Sequence, residues 1–186
     1  MAKAMRPYVM PVYSLYYAIC TDQTGAHWLA APDGLPADAK LLNLTHNAIK
    51  TLVNQQFGTL TQLLHLDLSD NLLALVEAEA FLSLQSLLTL NLSRNHLRII
   101  SVGVFAGLTN LQLLDISSNR ILVLLDFTFR DLASLQVFLA DDNDFVFISP
   151  QAFSGLSGLQ RLDLDGCNLT AVPTEASGML TPSKEH

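Results

Sequence analysis

The sequence has little of what usually announces a chemical activity. Two cysteines, Cys20 and Cys167, stand in 186 residues, too few for a disulfide framework. Five histidines (His27, His46, His65, His96 and His186) are scattered, with no metal-ligand spacing on one element. No serine or cysteine sits in a nucleophile motif, and the 9 glycines form no phosphate-cradling loop. Catalysis, a resident metal and a cofactor are therefore not expected. Basic residues are also scarce: 10 Lys and Arg against 17 Asp and Glu, a net charge of −7 and a pI near 5.0. That balance lacks the basic face that nucleic acid requires, so no nucleic-acid partner is expected. Half of the residues are hydrophobic and the mean hydropathy is +0.34, yet no apolar run approaches the roughly 18 residues of a membrane-spanning helix. The stretch LLALVEAEAFLSL is interrupted by Glu77 and Glu79, so no membrane span is expected.

What is present is a period. Asn47, Asn71, Asn95, Asn119 and Asn143 recur every 24 residues, and Cys167 takes the sixth place. Apolar residues stand eight, five and three positions before each anchor, as Leu63, Leu66 and Leu68 stand before Asn71. Another follows two positions later: Ile49, Leu73, Leu97, Ile121, Phe145 and Leu169. Ten positions after the first five anchors come Phe57, Phe81, Phe105, Phe129 and Phe153, and thirteen after all six come Leu60, Leu84, Leu108, Leu132, Leu156 and Leu180. LxxLxLxxNxL with a phenylalanine is the leucine-rich repeat pattern.

The pattern dictates an architecture. Each xLxLx segment makes one short strand, and strands of successive repeats stack in parallel at roughly 4.8 Å. A sharp inward turn follows, whose backbone groups no strand can satisfy. A buried asparagine carries both donor and acceptor, so a column of them can bond those groups in its own and the adjacent layer. Cys167, small and weakly polar, is expected as a core thiol ending the ladder. The phenylalanines make a second spine on the convex side. The fold class is an α/β-type solenoid, a horseshoe with one parallel strand per repeat and an irregular or 3-10 convex side. Cys20 and Cys167 lie about five layers apart, on the order of 25 Å at that spacing, well beyond the roughly 7 Å that a disulfide allows.

Along the chain, residues 1–27 fall outside the pattern. MAKAMRPYVMPVYSLYYAIC puts Lys3 and Arg6 before a short apolar stretch, a loose likeness of a degenerate signal peptide or cap. Residues 28–38 lead into the solenoid, with Pro32, Gly34 and Pro36 setting turns. Residues 39–180 are the six repeats, and 181–186 are a polar tail. Leu162, Leu164, Leu169 and Val172 belong to the last layer, which no cap visible in the sequence covers. Self-association through that C-terminal end is expected.

Binding is the activity the columns favour. Side chains alternate along a strand, so residues between the leucines face outwards on the concave sheet. One such column is Asn43, Asp67, Asn91, Asp115, Leu139 and Asp163; the next is Thr45, Ser69, Ser93, Ser117, Asp141 and Asp165. Both are expected to face solvent. Acids gather at the C-terminal half, eight of them against Arg161 and Lys184 from residue 131 onward. Asp115, Asp141, Asp142, Asp163 and Asp165 form an acidic cluster in which Asp141 and Asp165 are like charges side by side. It reads as a simply solvated acidic face, as a docking patch for a basic protein partner, or as a calcium site if a shaped loop were supplied. Asn43, Asn91 and Asn168 begin NLT, NLS and NLT triplets, acceptors for glycans in a secreted chain.

The segments LLDISSNRILVLLDFTFRDL, DDNDFVFISPQAFSGL and CNLTAVPTEA resemble the first repeats of the LINGO family, over roughly residues 28–178. Those are neuronal surface proteins with leucine-rich repeats, an immunoglobulin domain and one membrane span. The Cys at position 167, where other repeats carry Asn, is the most distinctive part of the likeness. The resemblance implies an extracellular or cell-surface glycoprotein that binds a protein ligand or co-receptor in a neuronal receptor complex, with this chain a fragment or short form. It departs from the family in keeping only Cys20 of the cysteine-rich N-terminal cap, and in lacking the immunoglobulin domain and span. The alternative from the residues alone is an intracellular or structural leucine-rich repeat adaptor.

Overall fold

Alternation of leucine with polar residues makes short strands whose apolar side must be buried, and the layer above and below is the only surface available to bury it. The computed structural model describes residues 20–32 and 34–167. The principal sheet has seven parallel strands: β1 (Cys20–Asp22), β2 (Leu41–Asn43), β4 (His65–Asp67), β6 (Thr89–Asn91), β7 (Leu113–Asp115), β9 (Val137–Leu139) and β11 (Arg161–Asp163), in that spatial order. From β2 onward the register is one repeat per strand: Leu42 lies beside Leu66, Leu66 beside Leu90, Leu90 beside Leu114, Leu114 beside Phe138. Each of those central residues is buried. Strand follows strand without crossing, so the chain is a parallel solenoid.

Four paired strands and one bridge lie on the flank beyond the ladder. β3 (Thr51–Leu52) pairs with β5 (Leu75–Val76), and β8 (Val123–Leu124) pairs with β10 (Phe147–Ile148). Ile99 bridges to Val123 between them. The convex side takes the irregular form of the two expected. Among the described residues there is no helix of any kind. Gly58 N–H donates to the Gln55 carbonyl, Leu60 N–H to the Phe57 carbonyl and Leu63 N–H to the Leu60 carbonyl, so the bonds span three residues but begin at every second or third residue. Linked turns result, where a helix would need successive bonds.

The interior is one continuous core. Phe57, Phe81, Phe105, Phe129 and Phe153 are buried and stack on one another, with ring centroids 5.7–6.5 Å apart. Phe138, which replaces the strand leucine in the fifth repeat, meets Phe129 edge-on at 4.8 Å. Sequence columns place Phe138 in the core but do not reveal that it joins the spine.

The sheet begins earlier than the repeat does. β1 pairs with β2 as Cys20 with Leu41 and Asp22 with Asn43, an offset three residues shorter than the 24 of the repeats. Gln23 N–H then donates to the Asn43 carbonyl at 2.8 Å, and Gly25 N–H to the Thr45 carbonyl at 2.9 Å. The segment expected to lie outside the solenoid therefore supplies a layer over the first repeat. Residues 1–19 lie outside the described residues, as do residues 168–186 with Asn168, Leu169, Val172, Leu180 and the tail.

Candidate functional site

The turn that closes each strand sets the site, and the asparagine column wires it. Asn95 Nδ2 donates to the Leu92 and Ser93 carbonyls of its own repeat and to the Leu68 carbonyl of the repeat before. Its Oδ1 accepts the Leu73 N–H at 2.9 Å. Asn71, Asn119 and Asn143 make the same four contacts one layer along. Asn47 bonds the β1 layer instead, through the Gln23 carbonyl and the Trp28 N–H. The residue before each anchor has a left-handed backbone: His46, Asp70, Arg94, Ser118, Asp142 and Gly166, with φ between 50 and 66°, and Gly25 takes the same form in the β1 layer. Glycine, aspartate and histidine adopt it more readily than other residues; Arg94 and Ser118 are held there by inter-layer bonds such as Arg94 N–H to the Ser117 carbonyl. At Gly166 a Cβ would also meet the Asp142 carboxylate, so any larger residue there must push that side chain aside.

Cys167 takes one contact of the ladder and not the rest. Its thiol donates to the Ala140 carbonyl at 3.3 Å, the acceptor that an asparagine would reach in the layer before. The residue is half-buried, short of the fully buried core thiol expected. Burial still pushes its pKa up, and Asp141, Asp142 and Asp163 push the same way, so the thiol is the reverse of an activated nucleophile.

On the concave sheet the first outward column fixes the second. Asp67 Oδ1 accepts both the N–H and the hydroxyl of Ser69, and Asp115 Oδ1 does the same for Ser117. Asn43 holds Thr45 likewise, and Asn91 accepts the Ser93 N–H at 3.0 Å. The second column consequently sinks into the turn. Ser69 and Ser93 are buried, each 2% exposed, which corrects the expectation that the whole column faces solvent. Thr45, Ser117 and Asp141 are intermediate and Asp165 is exposed. A third outward column, Leu41, His65, Thr89, Leu113, Val137 and Arg161, occupies the other end of each strand and escapes a reading of the first two alone.

The acidic cluster is ordered around this framework. Leu139 breaks the carboxylate column, flanked on the sheet by Asp115 and Asp163. Asp141 therefore lacks the preceding side chain that anchors Ser69 and Ser117. Burial raises the Asp141 pKa, and Asp163, Asp115 and Asp142 raise it further. Asp165 stands in the adjacent layer, where its carbonyl accepts the Asp142 N–H at 2.8 Å. Asp163 is not free: its Oδ2 pairs with Arg161 Nη2 at 2.9 Å and its Oδ1 accepts the Asp165 N–H at 3.2 Å. Leu113, Val137 and Leu139 form a half-buried apolar strip with acids along one side: Asp115 and Asp163 flank Leu139, while Val137 lies between Leu113 and Arg161. Among the described residues no group of three His, Cys, Asp or Glu is arranged to hold a metal.

The charge pattern differs at the third and second layers. Arg94 reaches Asp70 through two bonds of 2.8 Å, and His46 lies 3.8 Å from the same carboxylate. The bond to Arg94 holds the Asp70 carboxyl below its ordinary pKa. The flank carrying β8 and β10 is apolar by contrast. Leu122, Leu125, Val146 and Phe147 are exposed there, Val146 by 74% and Phe147 by 53%. Phe127, exposed by 46%, has a left-handed backbone at φ 60°; its N–H donates to the Gln151 carbonyl at 3.0 Å.

Repeat geometry and sequence agree on the class. A family model described as leucine rich repeat matches residues 66–121 and 109–169, more than half of the chain, and the chain belongs to the leucine-rich repeat family. Among solved structures it is similar to a chain of the TLR13–ssRNA13 complex, with 29% identity over 87% of this chain and a TM-score of 0.73. It is also similar to a chain of the Toll–Spatzle complex, described as a molecular hub in Drosophila development and innate immunity, with 28% identity over 71% of this chain and a TM-score of 0.64. The chain spans about a fifth of the length of each, 22% and 20%. No curated protein matches it.

Proposed function

We propose that this chain is a non-catalytic recognition module that takes a protein partner on the C-terminal half of its concave sheet. One observation carries the reading: the apolar strip of Leu113, Val137 and Leu139 is bordered along one side by Asp115, Asp141, Asp142, Asp163 and Asp165, with Arg161 beside Val137 the cation paired to Asp163. An apolar centre with a charged rim is the anatomy of a protein interface, and the sign of the rim selects a basic segment. Likeness to receptor chains in the TLR13–ssRNA13 and Toll–Spatzle complexes supports a receptor role. Resemblance to the LINGO repeats supports the finer form, an extracellular co-receptor component of the nervous system. A solved neighbour in complex with RNA keeps nucleic acid among the ligands to test, although an acidic face repels phosphate.

The test uses a designed peptide that alternates arginine and leucine, with a single-stranded RNA as the second probe. Surface plasmon resonance should show the peptide binding, with association slowing as salt rises. Replacing Asp141, Asp142 and Asp165 with Asn should slow association by about tenfold and flatten that salt dependence. Unchanged association in the triple variant would return the cluster to a solvated surface. RNA binding in place of peptide binding would overturn the protein-partner reading.

A further inference from the structure

The flank is a second surface, separate from the concave sheet, and its pattern is self-complementary. In the fourth repeat, with anchor Asn119, the outward residues are Arg120, Leu122 and Val123. In the fifth, with anchor Asn143, the residues at the same positions are Asp144, Val146 and Phe147. Phe147 lies beside Val123 in the β8–β10 register, so the two rows run side by side. Leu122, Val146 and Phe147 are exposed, as are Arg120 and Asp144. Neither of those two charges is in an ion pair among the described residues. Apolar side chains gathered in this way mark an association surface.

We propose that two copies of this chain pair through this flank about a two-fold axis. The axis lies in the contact plane, across the stacking direction, and passes between the fourth and fifth repeats. A two-fold contact sets the same patch of each copy against the other. This axis places every fourth-repeat residue opposite its counterpart in the fifth repeat of the second copy. Leu122 then faces Val146, Val123 faces Phe147, and Arg120 faces Asp144, each contact occurring twice. Axes shifted along the stack fail, on charge or by setting an apolar side chain against an arginine. An axis on the fourth repeat sets Arg120 against Arg120, and one on the fifth sets Asp144 against Asp144. One between the third and fourth repeats sets Leu122 against Arg98 and Arg120 against His96. Like charges opposed across a contact disfavour it, so the charges select the register that the apolar rows permit.

Sedimentation of the 186-residue chain tests this at concentrations from about 1 to 100 µM, a range that spans weak and moderate affinities. A concentration-dependent dimer is expected. Arg120→Glu places two acids in opposition twice over and should weaken the dimer by about tenfold or more. Combining Arg120→Glu with Asp144→Arg restores both pairs and should return affinity to within about threefold of the original. Phe147→Asp should give a monomer. All of these side chains are exposed, and far-ultraviolet circular dichroism should show each variant folded. A monomer throughout the range overturns the proposal. So does a dimer that Arg120→Glu leaves unchanged, or one that the charge exchange fails to restore. Association that persists in Phe147→Asp assigns the contact to another surface, such as the C-terminal end, and overturns it too.

Discussion

Asp141 shows how one residue's neighbours decide its chemistry. Its column partner in the first four repeats is a serine or threonine held by an Asp or Asn two positions earlier. Leu139 removes that anchor, and burial together with Asp163, Asp115 and Asp142 raises the Asp141 pKa. A carboxyl whose folded pKa lies above its unfolded value binds its proton more tightly in the folded state. It adds stability below the unfolded pKa, near 3.9, and loses it as pH rises through the folded value. Asp141→Asn should therefore stabilise the chain at pH 7, and the gain should vanish below about pH 4, where the native carboxyl is also neutral. Asp70 runs the other way. Its pKa is lowered by Arg94, so its contribution is present above the unfolded pKa and lost as pH falls through the folded one. Denaturant midpoints for Asp141→Asn and the parent chain at pH 7 and pH 3.5 would check the sign. A variant that is less stable at pH 7 would mean the carboxylate makes favourable contacts.

At the scale of elements the ladder holds the layers together. Asn95 satisfies three carbonyls and one N–H, all within buried turns of two adjacent repeats. Asn95→Ala strands those groups away from water, and the loss should be about 3 kcal/mol, since each buried unsatisfied group costs about 1–3 kcal/mol and some of them keep other partners. Ser93, although polar and adjacent, is 2% exposed and makes a poor surface control. Ser101, which is exposed, should tolerate alanine within about 0.5 kcal/mol. Urea unfolding of both variants would measure the difference, and equal midpoints would remove the ladder's stabilising role. The anchors themselves are legible in sequence because a period of 24 shows them five times over. The left-handed residue before each anchor is not. Arg94 and Ser118 have no preference for positive φ that a sequence pattern could reveal, and the backbone takes that form because bonds to the next layer require it.

Over the whole molecule, charge and apolarity are divided between faces. The concave sheet carries the acids at its C-terminal half, and the flank of the fourth and fifth repeats carries exposed leucine, valine and phenylalanine. The N-terminal half of the concave sheet holds Asn43 and Asn91, whose Oδ1 atoms are engaged by Thr45 and Ser93. Expression through the secretory route should add glycan at one or more of Asn43, Asn91 and Asn168, read as a mobility shift reversed by peptide-N-glycosidase. Such glycans at Asn43 or Asn91 would leave the acidic half of the sheet to a partner. An unshifted band from secreting cells would instead favour the adaptor alternative. The sequence by itself determines the stack of layers, its asparagine and phenylalanine columns, and the sign of its C-terminal concave half. Those follow from one rule: a residue type that recurs every 24 positions must recur at the same place in every layer. Only the tertiary structure decides that β1 covers the first repeat at a shorter offset, that Ser69 and Ser93 sink into the turn, and that Asp163 is occupied by Arg161. It alone also decides that the apolar residues of two repeats form one exposed row. Each of these depends on contacts between residues of different layers or on which way a turn faces, and periodicity carries no record of either.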